Sequence, residues 1–217
     1  MATPSEAGFI SHVLVPEFTK LNGVFSQGGL EAVSTEQFTT TVATLIDVFD
    51  RLGMTFAIAS KDVKEKRDHL LQPKVLEESP FVAQLVSNDI EKDVVCQAGQ
   101  GSRMLHGLKR LLHFVYALMG NLNTSPNTKL YDAAKAAYEQ TLAMYHARVV
   151  RYAIKGGLMT LPYRETFYKT LHETEETAQV AIDQFMAQSK DILAALDVLF
   201  VPYDHICRKD GSKAPLQ

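Results

Sequence analysis

Apolar residues recur every three or four positions along most of the chain, the period expected of helices with one buried face. In the first clear example, the apolar positions after Thr35 are Phe38, Val42, Leu45, Ile46 and Phe49. Ser34 or Thr35 can cap this helix, and Gly53 interrupts it. Because no segment alternates apolar and polar residues as a half-buried strand does, the pattern predicts an all-α protein.

Proline and glycine divide the middle of the chain into two further helices. We expect one helix over residues 55–72, ended by Pro73, because proline cannot continue the helical hydrogen-bond ladder. A shorter helix is expected over residues 80–91. Its inward-facing positions are Phe81, Leu85 and Val86. Gly99 and Gly101 then break the chain before the next apolar segment.

The second half of the chain predicts three longer helices. Ser102 can cap the first, whose apolar face runs to Gly120. The second is expected to carry His146 in its middle and to end at a Leu-Pro turn, residues 161–162. The third starts near Glu175. Its expected buried positions are Val180, Phe185, Ile192, Leu196 and Leu199. Together these segments predict a two-layer helical sandwich of about seven to eight helices.

Composition narrows the class of protein. The 217 residues are 46% hydrophobic, which suits one domain, or at most two small ones, with a sizeable core. We expect a single domain over residues 1–217, with its core at about 30–200 and a polar tail at 208–217. No apolar run reaches the about 18 residues of a membrane span, and the N-terminus lacks the pattern of an export signal. The net charge of −3 argues against nucleic-acid binding. We therefore expect a cytoplasmic monomer.

The two cysteines, Cys96 and Cys207, lie far apart in the sequence. A disulfide scaffold uses a denser set of cysteines, and most cytoplasmic thiols are kept reduced. We therefore expect two free thiols.

Two groups of charged residues are candidates for ligand binding. Asp62 and Lys66 stand four residues apart and so share one helix face, although most isolated pairs of this kind are only surface ion pairs. Arg103, Gly107, Arg110 and Phe114 form a stripe on a later helix. Taken alone, that stripe is typical of a solvated basic face.

Enzyme and metal motifs are absent from the sequence. There is no G-x-S-x-G, H-E-x-x-H, P-loop or dinucleotide glycine motif, and the spacing of His106 and His113 matches no usual zinc site. His146 and Asp62 resemble a catalytic pair, but no nucleophile accompanies them, and a lone histidine among apolar neighbours is more often a core residue. We expect no catalysis, no metal and no cofactor.

Five segments resemble the glycolipid transfer protein superfamily in their order and approximate spacing. They are F-D-R-L-G at 49–53, S-K-D-V-K-E-K at 60–66, L-K-R-L-L at 108–112, Y-H-A-R-V-V-R at 145–151 and L-P-Y-R-E-T-F at 161–167. The resemblance covers roughly residues 30–200. Its most specific part is Tyr-His with Val-Val-Arg, followed about ten residues later by Leu-Pro-x-Arg.

Within that superfamily the chain is similar to the ceramide-1-phosphate transfer branch, which includes the plant accelerated-cell-death relatives. Four residues after the family aspartate, here Asp62, the glycolipid branch has asparagine and the phosphate branch has lysine, as here at Lys66. Arg103 matches the first of two head-group arginines in the phosphate branch. The resemblance implies non-enzymatic transfer of a phosphorylated sphingolipid between membranes.

The same resemblance implies a head-group site. Asp62 would accept from the ceramide N–H and hydroxyl, and His146 would donate a ring N–H to the amide carbonyl. Lys66 and Arg103 would bind the nearly doubly charged phosphate. Arg110 lies on the same stripe and is a candidate substitute for the second arginine, although it matches a family arginine that is not usually counted as a head-group ligand. The hydrocarbon chains would enter an interior apolar pocket, at about 0.8 kcal/mol per buried methylene.

Two positions depart from the family pattern. Gly107 replaces the second arginine of the phosphate branch or the sugar-stacking tryptophan of the glycolipid branch, and is expected to open space for a bulkier head group or a water. Arg148 replaces a membrane-docking tryptophan, so we expect docking to depend on membrane charge. Tyr152, Tyr163 and Phe167 are the remaining candidate aromatic contacts. Transfer of a neutral glycosphingolipid, and a lipid-sensing adaptor that transfers weakly, stay open as alternatives.

Overall fold

Helices make up almost all of the secondary structure in the part of the chain that is described. The computed structural model describes residues 7–53 and 56–207. Apart from an isolated antiparallel bridge between Ser34 and Phe81, the ordered elements in these ranges are helices. The all-α prediction is confirmed. The predicted polar tail, residues 208–217, lies outside the described residues.

The α-helices follow the predicted segments, with several of them divided. They are α1 (Val15–Gly28), α2 (Thr35–Ala43), α3 (Ile46–Arg51), α4 (Ala57–Leu70), α5 (Pro73–Glu78), α6 (Val82–Glu91), α7 (Gly101–Asn123), α8 (Leu130–Thr141), α9 (Arg148–Leu158), α10 (Arg164–Thr170), α11 (Glu175–Phe200) and α12 (Asp204–Cys207). A π-helical turn, Ile10–Leu14, leads into α1. Short 3₁₀ turns cover Gly29–Glu31, Ala143–Tyr145 and Val201–Tyr203. The described part therefore holds more helices than the seven or eight predicted.

The central helix of the two-layer sandwich is α7. It packs against α4, α8 and α11, and α11 packs in turn against α1. Aromatic rings join these helices in the core: Phe18 and Phe185 meet edge to face at 4.9 Å between centroids, and Phe49 lies 5.4 Å from Phe114. The stripe of α7 predicted to be solvated is therefore largely covered, and Phe114 is fully buried.

Local hydrogen bonds explain where the first predicted helix begins and divides. Ser34 caps α2, as predicted, by accepting from the Gln37 N–H at 3.0 Å. The expected single helix ends at Ala43, where the Thr44 hydroxyl donates to the Thr41 carbonyl at 2.6 Å. Such a side-chain bond competes with the helical ladder of backbone hydrogen bonds. The next helix, α3, starts at Ile46.

Three other predicted features differ in the structure. Pro73 begins α5 at its first turn, where its missing N–H costs nothing. Ser102 lies inside α7, and the Asp89 carboxylate caps that helix by accepting from the Ser102 N–H at 2.8 Å. Phe81 is 41% exposed and Val180 60% exposed, so neither faces inward.

The predicted long helix around His146 is wrong. The chain leaves α8 after Thr141, makes a 3₁₀ turn, and holds His146 in an extended conformation (φ −105°, ψ 134°) before α9 begins at Arg148. Contacts of Tyr145 and His146 with other helices outweigh the local helical pattern here. Tertiary packing commonly overrides helix propensity in this way.

The cysteines are also not as predicted. Cys96 and Cys207 form a disulfide, with their Cα atoms 5.1 Å apart. Cys96 lies in the turn before α7 with a positive φ of 57°, and Cys207 ends α12 in a buried position. The fold brings these two segments together, although 111 residues separate them in sequence.

Candidate functional site

Lys66 lies at the contact between α4 and α7. Its side chain is only 13% exposed, whereas that of Asp62, one turn earlier, is 61% exposed. The Lys66 ammonium pairs with the Asp62 carboxylate and lies 3.4 Å from the Asp62 carbonyl oxygen. Because Asp62 remains in water, this pair contributes little to stability. Its geometry instead presents a carboxylate and an ammonium together at the edge of the α4–α7 contact.

Gly107 lies on α7 beneath the Lys66 side chain. A Cβ at residue 107 would overlap Cδ and Cε of Lys66 and would lie 3.6 Å from its Nζ. The expectation that Gly107 opens space for a bulkier head group or a water is therefore wrong, because the stem of Lys66 fills that space.

Arg103 occupies the same stripe of α7, one turn before Gly107, about 6 Å along the helix axis. Its Nη1 donates to the Cys96 carbonyl at 3.1 Å, which attaches the guanidinium to the turn before the helix. The side chain is half-buried. Arg103 therefore precedes by one turn the position, Gly107, over which Lys66 of α4 lies.

Arg110 packs against the link between α8 and α9. Its guanidinium carbon lies 4.6 Å from the centre of the Tyr145 ring, a cation–π contact. The Tyr145 hydroxyl donates to Asp204 at 3.2 Å, so the same ring also reaches the C-terminal helix. Arg110 thus belongs to a packed cluster, and the predicted solvated basic face is not found.

His146 is half-buried and oriented by Tyr138. The Tyr138 hydroxyl and His146 Nδ1 lie 3.1 Å apart, and the two rings stack at 5.7 Å between centroids. Burial raises the pKa of Tyr138, so its hydroxyl keeps its proton. The His146 carbonyl accepts from Arg151 Nε at 2.8 Å, which holds the backbone in its extended form.

His106 is a buried histidine of α7 whose pKa is lowered by its surroundings. Burial, together with the nearby charges of Arg110 and Lys109, lowers its pKa to about 3. Its ring meets the Tyr145 and Phe200 rings edge-on, at 5.6 and 5.0 Å. His106 is therefore neutral at physiological pH, and sequence reasoning had assigned it no role. The only sequence signal was a histidine within a stripe of basic residues.

The predicted head-group residues are connected through α7. On one side, Lys66, which pairs with Asp62, lies over Gly107, four residues after Arg103. On the other side, Arg110 contacts Tyr145, the chain neighbour of His146. This arrangement suits an anionic ligand with amide and hydroxyl groups.

A family model of the glycolipid transfer protein matches residues 33–173. The chain belongs to the glycolipid transfer protein family. It is 29% identical to Accelerated cell death 11 of Arabidopsis thaliana over 170 residues, which are 78% of this chain and 82% of that protein. It is 28% identical to a ceramide-1-phosphate transfer protein of Danio rerio over 148 residues, 64% of this chain and 70% of that protein.

A solved structure supports the same assignment. The crystal structure of a point mutant of Arabidopsis accelerated-cell-death 11, complexed with C12 ceramide-1-phosphate, matches with a TM-score of 0.83 at 26% identity. The match covers 90% of this chain and 96% of that chain. The family and the fold predicted from the five sequence segments are confirmed.

The arginine of the family's Leu-Pro-x-Arg motif has a structural role. Arg164 is buried, and its Nη1 donates to the carbonyls of Leu122, Ser125 and Thr128 at 2.8, 2.7 and 3.2 Å. Its guanidinium also pairs with Glu175, with Nε 3.1 Å from Oε2. Arg164 therefore ties the α7–α8 turn to the first turn of α11.

The surface of α9 and the turn after it exposes apolar and basic side chains together. Tyr152 is 67% exposed and Tyr163 88% exposed, and Arg148 is also exposed. Phe167 is fully buried, so its expected contact with a membrane is wrong. In the described ranges, no helix is long and apolar enough to cross a bilayer, and no three His, Cys, Asp or Glu side chains group as a metal site.

Proposed function

We propose that this protein is a non-enzymatic carrier that binds ceramide-1-phosphate and transfers it between membranes. The observation that carries the proposal is Lys66, a largely covered lysine paired with an exposed carboxylate beside the cations of α7. A relative of the same fold is complexed with C12 ceramide-1-phosphate. A carrier requires no covalent step, and the binding chemistry of these side chains is sufficient for it.

Each polar group of a ceramide has a partner among these residues. Asp62 accepts from the amide N–H and the hydroxyl of the lipid. The Tyr138 hydroxyl lies 3.1 Å from Nδ1 of His146. We propose that the hydroxyl donates to Nδ1, so that the ring proton is on Nε2 and that nitrogen is the donor to the amide carbonyl. Without such partners, burying these groups would cost about 1–3 kcal/mol each.

The phosphate is bound by Lys66 and Arg103. Two fixed cations match its nearly double negative charge, and charge-assisted hydrogen bonds are about twice as strong as neutral ones. Arg110 adds positive potential from its place on Tyr145. The hydrocarbon chains are buried among the apolar side chains between the two helix layers, at about 0.8 kcal/mol per methylene.

Membrane docking is assigned to α9 and the turn that follows it. Tyr152 and Tyr163 enter the interfacial region, and Arg148 meets anionic lipid phosphates. We propose that residues 1–217 act as one monomeric lipid-transfer domain on the cytoplasmic face of membranes. The cytoplasm keeps most protein thiols reduced, so a Cys96–Cys207 bond found intact in protein taken directly from cells would argue against that location.

The proposal is tested by vesicle transfer assays with ceramide-1-phosphate and glucosylceramide. We expect Lys66→Met and Arg103→Leu to reduce phosphate-lipid transfer most, and Asp62→Val to reduce uptake of every ceramide-based lipid. Lys61→Met is the matched control, because Lys61 is on the same helix but 80% exposed and away from α7. Transfer of glucosylceramide alone, or equal effects of Lys61→Met and Lys66→Met, would contradict the assignment.

A lipid-sensing adaptor remains a second candidate because of Arg148. An exposed arginine does not insert into the apolar interface as tryptophan does, so binding and transfer can separate. Lipid uptake without transfer between vesicles would favour this candidate. Neutral glycosphingolipid transfer is disfavoured, since Lys66 covers the α7 surface at Gly107.

A further inference from the structure

Lys66 and Gly107 depend on each other for space in the packing of α4 against α7. The Lys66 stem lies across α7 directly over Gly107. Its side chain is 13% exposed, whereas the other lysines of this helix, Lys61 and Lys64, are 80% and 47% exposed. Lys66 can approach the helix this closely because the position beneath it carries no side chain.

A Cβ at residue 107 would displace the lysine without forcing the helices apart. The overlapping atoms are Cδ and Cε of Lys66, the far end of a flexible side chain. The least costly adjustment is a rotation of that side chain away from α7. Alanine also favours the helical conformation more than glycine does. Substitution at this position therefore moves the ammonium while the fold remains stable.

We propose that Gly107 is a positioning residue that determines head-group specificity through Lys66. The missing side chain lets Lys66 lie on α7 and keeps its ammonium beside Asp62, on the same stripe as Arg103. The cation pair so formed suits a compact phosphomonoester. The Lys66 stem also covers the part of α7 on which a sugar ring would stack. This inference rests on the proposed function.

The position of Lys66 compensates for the arginine that the phosphate branch carries at residue 107. That arginine would project from the place that the Lys66 stem now fills. The remaining cation of the stripe, Arg110, stacks on Tyr145 toward the α8–α9 link. Phosphate selectivity in this chain therefore depends on two cations, Lys66 and Arg103, and on the glycine that places the first of them.

The test is a double-mutant cycle with Gly107→Ala, Lys66→Ala and the combined variant. Equilibrium capture of fluorescent ceramide-1-phosphate and of fluorescent glucosylceramide from phosphatidylcholine vesicles is measured for each. Gly23→Ala is the matched control, because Gly23 also lies within a helix and a Cβ there meets no atom within 4 Å.

We expect Gly107→Ala to weaken ceramide-1-phosphate capture about tenfold or more, the loss that follows when one charge-assisted hydrogen bond is displaced. The preference for the phosphate lipid over the sugar lipid should fall, and the unfolding midpoint should stay within a few degrees of wild type. In the Lys66→Ala background the same substitution should have no further effect, because the side chain through which it acts is gone.

Three results would overturn the inference. Wild-type affinity in Gly107→Ala would show that the position of Lys66 does not matter. Equal losses in both backgrounds would show that Gly107 acts on the fold and not through Lys66. If the wild-type protein captures no ceramide-1-phosphate at all, the proposed function fails and the inference fails with it. This result differs from normal capture by both the wild type and Gly107→Ala, which contradicts the inference alone.

Discussion

Removing Arg164 should destabilise the fold far more than removing a less buried arginine. Arg164→Ala leaves three backbone carbonyls, those of Leu122, Ser125 and Thr128, without their donor and Glu175 without its cation. Breaking a buried ion pair by deleting one partner costs about 3–5 kcal/mol. Glu175 remains 35% exposed and can be hydrated, so we expect the lower half of that range.

Chemical denaturation measures this loss, and Arg51→Ala is the matched control. Arg51 also donates to two carbonyls and packs on an aromatic ring, Phe9, but it is less buried than Arg164. Its removal should cost about 1 kcal/mol or less. For a chain of this size, each kcal/mol shifts the melting midpoint by about 2–4 °C, so Arg164→Ala should melt roughly 10 °C below wild type.

The same measurement can refute this reasoning. A loss below about 1 kcal/mol for Arg164→Ala, equal to that of Arg51→Ala, would mean that water replaces the guanidinium without penalty. A large loss of stability together with normal lipid transfer at low temperature would support a purely structural role. Loss of transfer in a protein of unchanged stability would instead place Arg164 in the binding machinery.

Three further predictions concern acid stability, the disulfide and docking. Burial holds the pKa of His106 near 3, so between about pH 6.5 and 3 the unfolded state binds more protons than the folded state. The free energy of unfolding should therefore fall as the pH falls through that window, by at most about 1.4 kcal/mol per pH unit from this group. A His106 ring that titrates near pH 6.5 by NMR would contradict this prediction. Non-reduced, denatured protein should give no free thiol, and reduction of Cys96–Cys207 should lower stability by about 2–4 kcal/mol; two titratable thiols would show the bond to be absent. Arg148→Ala should slow transfer from anionic vesicles but not from neutral ones. Equal slowing with the two kinds of vesicle would contradict docking that depends on membrane charge.

Much of the fold could be predicted from the spacing of apolar residues. Of the five α11 positions expected to be buried, Phe185, Ile192 and Leu196 are buried, Leu199 is half-buried and Val180 is exposed. Ser34 or Thr35 was expected to cap the first helix because of residue type and position, and the structure shows that Ser34 is the cap. Such features are local, because a helical period and a capping hydroxyl act within one or two turns of the chain. The pairing of Asp62 with Lys66 is local in the same sense.

The tertiary structure decided the features that depend on residues far apart in sequence. His146 leaves the helical conformation where its neighbour Tyr145 packs against Arg110 of α7. Cys96 meets Cys207 only because α12 returns to the turn before α7. Gly107 suggested an open space in the sequence, and the lysine of another helix fills it. Side-chain spacing within one helix predicts which residues share a face, but what covers that face depends on how the helices pack.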